Sequence, residues 1–209
     1  MARAHAVRFQ RFYIDGVRRL ASNGVASLAR TRVSPNALTA AGVLLCAAAS
    51  VVVYFEYRSE LAAFWAGAAL FIVGSILDIL DGALARRSDR ATPFGSFVDS
   101  TTDRVSEALM LGAIALVLMR DGNELALGFA FAALAGSFLV SYTRARAEVL
   151  GLRGDVGIGS RAERVVVISA GLILAPWLSL QWAIYILTAT AWVTVVQRIL
   201  GVRRQLAER

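Results

Sequence analysis

The chain contains no lysine; all 22 of its basic residues are arginine. Schiff-base or general-base chemistry on a lysine amine is therefore closed to it. Its one cysteine, Cys46, excludes an intrachain disulfide, and the apolar run around it gives that thiol a packing role. One histidine and three prolines complete the short supply. No internal repeat, low-complexity tract or polar linker interrupts the sequence, so 209 residues suit one bundle with little room for a second domain.

Apolar residues are what the chain has in excess. They make up 57% of it, with a mean hydropathy of +0.61, against roughly 45–50% in soluble domains. Six apolar segments lie near residues 36–56, 61–84, 96–119, 124–146, 163–176 and 178–198. Most have the roughly 17–25 residues needed to cross a bilayer; the fifth is short. Arg58, Asp121-Gly122-Asn123 and Pro176 mark breaks between them. The expected fold is all-α and polytopic: an N-terminal segment at 1–35, a six-helix domain at 36–200 and a tail at 201–209.

The net charge of +7 is spread between the apolar runs, which fits an anionic membrane surface and not nucleic acid. Arginines crowd the N-terminal stretch, the second-to-third connection (Arg86, Arg87, Arg90), the fourth-to-fifth region and the C-terminal end. Across the membrane only Arg58 and Arg120 remain, so the positive-inside rule puts both termini in the cytoplasm of a multi-pass cell-membrane protein. The first 35 residues are too polar and arginine-rich for a cleavable signal peptide. Within them Phe9, Phe12, Tyr13, Val17 and Leu20 recur at helical spacing among arginines, the pattern of an amphipathic helix lying in the interface. A solvated N-terminus is the alternative.

The stretch "DILDGALARRSDRATPFGSFVDSTTD", residues 78–103, carries two aspartates at each end. Asp78 and Asp81 are three apart, Asp99 and Asp103 four apart, and both spacings share a helix face. The short connection makes the second and third helices antiparallel neighbours, so all four carboxylates converge at the cytoplasmic end of one hairpin. An acid within a membrane costs about 2.5–3.5 kcal/mol. Four without compensation would cost on the order of 10 kcal/mol, comparable with a domain's whole stability. Arginine pairing is one compensation; hard divalent cations are the other, and the lack of nearby histidine and cysteine argues against zinc. Four carboxylates can hold two ions roughly 3.5–4 Å apart, an arrangement suited to in-line displacement at phosphorus. Gly82 and Gly95 would let a ligand approach the backbone or let helices pack closely, and Arg86 is placed to reach a diphosphate.

Asp78-x-x-Asp81-Gly82-x-x-Ala85-Arg86, followed after eight residues by Gly95-x-x-x-Asp99-x-x-x-Asp103, resembles the signature of the CDP-alcohol phosphotransferases at all eight fixed positions. The resemblance implies a transferase that binds CDP-diacylglycerol, grips its diphosphate through two Mg²⁺ or Mn²⁺ ions, and passes the phosphatidyl group to an alcohol with release of CMP. It implies that Asp78, Asp81 and Asp99 are metal ligands. Asp103 is then the general base and a further ligand, and family members are typically homodimers. Upstream, "SPNALT" resembles the start of the family's first helix, so that Asn36 and Thr39 join Gly82, Ala85, Arg86 and Gly95 around the CDP-lipid. Capping of that helix by Ser34 and Pro35 reads the same residues structurally.

A second cluster, "SYTRARAEVLGLRGDVGIGSRAER", brings Ser141, Arg144, Arg146, Arg161 and Arg164 to helix ends on the aspartates' side. Arginine's planar fork suits bidentate phosphate binding, which points to an acceptor carrying its own phosphate. Positive-inside topology is the alternative reading of any one of these arginines. Glu148 and Glu163 are expected to pair with and position some of them. The stretch resembles the branch that makes phosphatidylinositol phosphate from CDP-diacylglycerol and inositol 1-phosphate. It departs at Ser160, where that branch has glutamate, and Arg198 in "VVQRILGVRRQ" also resembles the branch. Inositol 1-phosphate is thus the expected acceptor, with glycerol 3-phosphate as runner-up. A divalent-cation transporter is the competing class; it would place acids near the bilayer midplane, whereas these lie at one end.

Overall fold

The computed structural model describes residues 34–87, 91–178 and 180–208. The amphipathic helix expected in the N-terminal segment lies outside them. Among the described residues there are six α-helices and no strand. They are α1 (Pro35–Tyr54), α2 (Glu60–Arg87), α3 (Pro93–Arg120), α4 (Glu124–Val149), α5 (Arg161–Leu174) and α6 (Gln181–Ala207), with a 3₁₀ turn at Glu56–Arg58.

Local chemistry sets the boundaries. Pro35 and Pro93 occupy first helical positions, where a missing N–H is not missed. Ahead of them the Ser34 hydroxyl accepts from the Ala37 N–H at 3.2 Å, and the Thr92 hydroxyl from the Gly95 N–H at 3.0 Å. Asn123 caps α4 by accepting from the Ala126 N–H at 3.0 Å. α5 stops at Leu174, two residues before Pro176, which cannot extend the ladder.

Among the described residues, four helices are long and apolar enough to cross a membrane: Pro35–Tyr54, Glu60–Arg86, Glu124–Val149 and Gln181–Ala207. Their outward faces carry large apolar side chains, among them Leu44, Val51, Ile76, Phe131 and Ile186. A multi-pass membrane protein follows, because lipid is the solvent those faces require. α5 has 14 residues, about 21 Å at 1.5 Å per residue, which is short of the hydrocarbon thickness. α2 has 28, about 42 Å, leaving two or more turns beyond the hydrocarbon for its polar C-terminal end.

The chain divides into two structural units. One comprises, among the described residues, 34–44 and 74–103, the start of α1, the end of α2 and the start of α3. Leu38 and Leu84 form its apolar core, with Leu77, Leu80 and Ala83 against them. A Cβ added at Gly42 would stand 2.9 Å from the Gly74 carbonyl oxygen, so this glycine sets the close approach of α1 to α2.

The other unit comprises, among the described residues, 45–73, 104–178 and 180–208. Its core gathers Phe71, Met110, Leu111, Ile114, Ile168, Leu172, Ile184 and Leu187. α4 packs on α6, where the Thr188 hydroxyl and the Trp192 indole donate to the Phe129 and Ala132 carbonyls at 3.0 Å each. Gly136 permits that contact, since a Cβ there would meet Ala191 at 3.0 Å. Arg120 bonds to Glu56 and lies 4.7 Å and 5.0 Å from the Tyr54 and Tyr57 ring centroids.

Candidate active site

Helical periodicity turns the four aspartates inward within the first unit. Asp78 and Asp81 on α2 are buried, and Asp99 and Asp103 on α3 are half-buried. One carboxylate oxygen from each of Asp78, Asp99 and Asp103 lies within 4.8 Å of the others. Three hard oxygens this close together suit Mg²⁺, Mn²⁺ or Ca²⁺.

Asp81 sits apart from that trio, in the grip of α1. Its Oδ2 accepts a hydrogen bond from the Thr39 hydroxyl, which also lies 3.2 Å from the Pro35 carbonyl. Its Oδ1 is buried with no hydrogen-bond partner among the described residues. A carboxylate oxygen removed from water and left without a donor is what a metal ligand looks like before the metal is added. The donor set therefore fits a divalent cation. The sequence alone placed Thr39 beside the CDP-lipid; its clearest bond here positions a carboxylate.

Next to this cluster lies an open cavity of about 480 Å³, within the usual size of a small-molecule site. Asn36, Thr39, Thr92, Gly95 and Thr102 supply polar lining, and Val43, Leu44, Phe94 and Val98 an apolar stretch. Such a groove matches an amphiphile with a polar head and hydrocarbon tails. A Cβ at Gly95 would crowd the Thr92 hydroxyl at 3.1 Å. Gly82 and Ala85 are half-buried on α2, outside the groove lining. The exposed Arg86 folds back over Gly82, with its Nη1 3.4 Å from where a Cβ would be.

The second unit holds the arginine cluster, and its members differ in environment. Ser141 and Arg161 are half-buried, and Arg146 is exposed. Arg144 is exposed and pairs with Glu148 at 2.9 Å. Arg164 is buried: its Nε and Nη2 bond to the two Glu107 carboxylate oxygens at 2.6 and 2.9 Å, and its Nη1 donates to the Gly159 carbonyl at 2.8 Å. All three guanidinium nitrogens are thus engaged by protein. Glu163 does not serve an arginine in this way; its carboxylate accepts from the Ser160 N–H at 2.6 Å, at the start of α5. Arg198 is buried and donates to the Val156 carbonyl at 2.9 Å and to the Val140 carbonyl. In the connection between α4 and α5, the exposed Asp155 carboxyl is held below the usual range, by its own backbone N–H first and by Arg153 second.

Glu107 is the site residue that sequence reasoning missed. Its partner is 57 positions away, so no local spacing announces the pair. Its four-residue offset from Asp103, which extends the same acidic face, was the one available signal.

A profile of the CDP-alcohol phosphatidyltransferase family matches residues 32–199. The chain belongs to that family. Among similar members, the archaetidylinositol phosphate synthase of Pyrococcus horikoshii is 36% identical over 181 residues, covering 86% of this chain and 89% of that one. The phosphatidylinositol phosphate synthase of Mycobacteroides abscessus is 34% identical over 188 residues, covering 87% and 83%. The crystal structure of Mycobacterium tuberculosis phosphatidylinositol phosphate synthase with CDP-DAG bound superposes with a TM-score of 0.75 at 26% identity, covering 88% of this chain and 94% of that one. The same enzyme has been solved in complex with manganese and citrate, at a TM-score of 0.74. The aspartates of this phosphatidyltransferase are thus the metal-binding candidates of a metal-dependent phospholipid-synthesis enzyme.

Proposed function

We propose that the chain transfers a phosphatidyl group from CDP-diacylglycerol to inositol 1-phosphate, giving phosphatidylinositol phosphate and CMP. The observation that carries this reading is the convergence of the Asp78, Asp99 and Asp103 oxygens within 4.8 Å beside a groove with both polar and apolar lining. Relatives named for inositol phosphate lipids, at 34–41% identity, supply the acceptor.

In this reading Asp78, Asp81, Asp99 and Asp103 hold two divalent cations, Mg²⁺ or Mn²⁺. Bound there, the cations offset the negative charge of the diphosphate and of the departing CMP. Thr39 fixes the rotamer of Asp81. Asn36, Gly82, Ala85, Arg86 and Gly95 border the nucleotide and its diphosphate, and the apolar lining of the groove takes hydrocarbon. Asp103 accepts the proton of the attacking hydroxyl. The acceptor oxygen forms a bond to the lipid-side phosphorus as the bond from that phosphorus to the CMP oxygen breaks, and the electron pair leaves with CMP.

Ser141, Arg144, Arg146 and Arg161 receive the acceptor's phosphate, and Arg164, engaged by Glu107, positions the start of α5. All six apolar segments cross the membrane, α3 included and the short α5 by local thinning of the bilayer around it, with the acids of α3 and the termini at the cytoplasmic side. The enzyme works as a homodimer in the cell membrane.

A panel of acceptors tests the reading. Purified protein with Mn²⁺ and CDP-diacylglycerol should release CMP with inositol 1-phosphate well above the rate with glycerol 3-phosphate, free inositol or serine. Faster release with free inositol or serine would refute the phosphate pocket; preference for glycerol 3-phosphate would keep the reaction and replace the acceptor.

A further inference from the structure

The connection between α4 and α5, residues 150–160, is bonded along one face of α6. Thr194, Arg198 and Gln205 stand at positions i, i+4 and i+11, which share a helix face. Each bonds to backbone of the connection. The fully buried Thr194 hydroxyl accepts from the Gly159 N–H at 2.8 Å and is 2.7 Å from the Thr190 carbonyl. Arg198 donates to the Val156 carbonyl at 2.9 Å. The Gln205 amide closes a two-way bond with Arg153, accepting from its N–H at 2.9 Å and donating to its carbonyl at 3.0 Å.

The sequence of the connection permits this docking. Gly157 has φ +122°, a region side chains avoid, and a Cβ there would run into Thr194. A Cβ at Gly159 would stand 2.8 Å from the Thr194 hydroxyl oxygen, and one at Gly154 would stand 2.8 Å from the Arg144 carbonyl oxygen. The connection also joins the two halves of the arginine cluster: Arg144 and Arg146 precede it on α4, and Arg161 follows it on α5.

We propose that Thr194 and Gln205 are positioning residues for the acceptor, pinning the connection at both ends so that the arginines of α4 and α5 stand ready for an anionic phosphate. The inference rests on the phosphorylated acceptor argued above. A connection already ordered spares the acceptor the entropic cost of ordering it. Its loosening therefore weakens acceptor binding, while CDP-lipid binding and the proton transfer at Asp103 use other residues.

The test uses the full chain, purified, with CMP release followed against inositol 1-phosphate at saturating CDP-diacylglycerol and then the reverse. Thr194→Val keeps the shape and removes the acceptor of the Gly159 N–H. It should raise the KM for inositol phosphate about tenfold, the scale of one lost buried hydrogen bond. Gln205→Ala should raise it severalfold, and Thr194→Ser should restore it. The KM for CDP-diacylglycerol and kcat should stay within about twofold of wild type throughout.

Unchanged acceptor KM in both Thr194→Val and Gln205→Ala, or a fall in kcat alone, overturns the proposal, as does a serine variant that behaves like valine. If Thr194→Val does not fold, Gln205→Ala, at the last turns of α6, decides the question by itself. A wild-type chain that prefers unphosphorylated acceptors overturns the underlying function; a wild-type chain that prefers inositol phosphate, with variants unaffected, overturns only the positioning role.

Discussion

Replacing Glu107 with alanine would strand a buried cation. The Arg164 and Glu107 side chains are only 4% and 9% exposed and meet through two hydrogen bonds of 2.6 and 2.9 Å. Truncating the acid leaves Arg164 with the Gly159 carbonyl as its remaining bonded partner. Breaking a buried pair from one side costs about 3–5 kcal/mol, a large share of a total stability of about 5–15 kcal/mol. At about 2–4 °C per kcal/mol for a chain of this size, the melting temperature should fall on the order of 10 °C. Thermal unfolding in detergent, followed by circular dichroism, reads that shift. The combined variant Glu107→Leu with Arg164→Met removes both charges and should recover most of the loss, because paired apolar replacements are near neutral. It should also keep measurable turnover, since Arg164's nitrogens are already engaged by protein. A single variant melting within about 2 °C of wild type, or a double variant less stable than the single, would refute the reasoning.

Three further expectations concern the acidic cluster. Asp103→Asn should abolish CMP release while CDP-diacylglycerol still binds by calorimetry; full turnover would remove its role as base. Thr39→Val frees the Asp81 carboxylate to rotate and should lower kcat/KM at least about tenfold, with Thr39→Ser close to wild type, as steady-state rates will tell. Gly42→Val should cost about 1–3 kcal/mol by forcing α1 away from the Gly74 carbonyl, and should reduce activity along with the melting temperature.

The convergence of the aspartates in the candidate site was legible because its geometry is local. Asp78 with Asp81, and Asp99 with Asp103, announce themselves by i+3 and i+4 spacing within single helices. The bonds that support them span the chain: Thr39 reaches Asp81 across 42 positions and Arg164 reaches Glu107 across 57. No periodicity encodes such pairs. Ser160 shows the same limit. It departs from the branch's glutamate, and the acid that holds the nearby Arg164 comes from α3.

The helices were legible as apolar runs, and their lengths were not. Hydropathy marks where a helix meets hydrocarbon, whereas backbone bonding continues through polar residues. α6 therefore runs to Ala207 past the apolar limit at residue 198, and α2 runs to Arg87. Proline was the better guide at the start of α3, which begins at Pro93 instead of residue 96.

The most direct measurement of the central claim follows a label. Protein stripped of divalent ions would be given CDP-diacylglycerol and inositol 1-phosphate carrying ³²P, with and without Mn²⁺. The account predicts that the label enters the lipid fraction in step with CMP release, only when the cation is present, and not in the Asp78→Asn variant. Labelled lipid formed without the cation, or CMP released while the label stays in water, would contradict it.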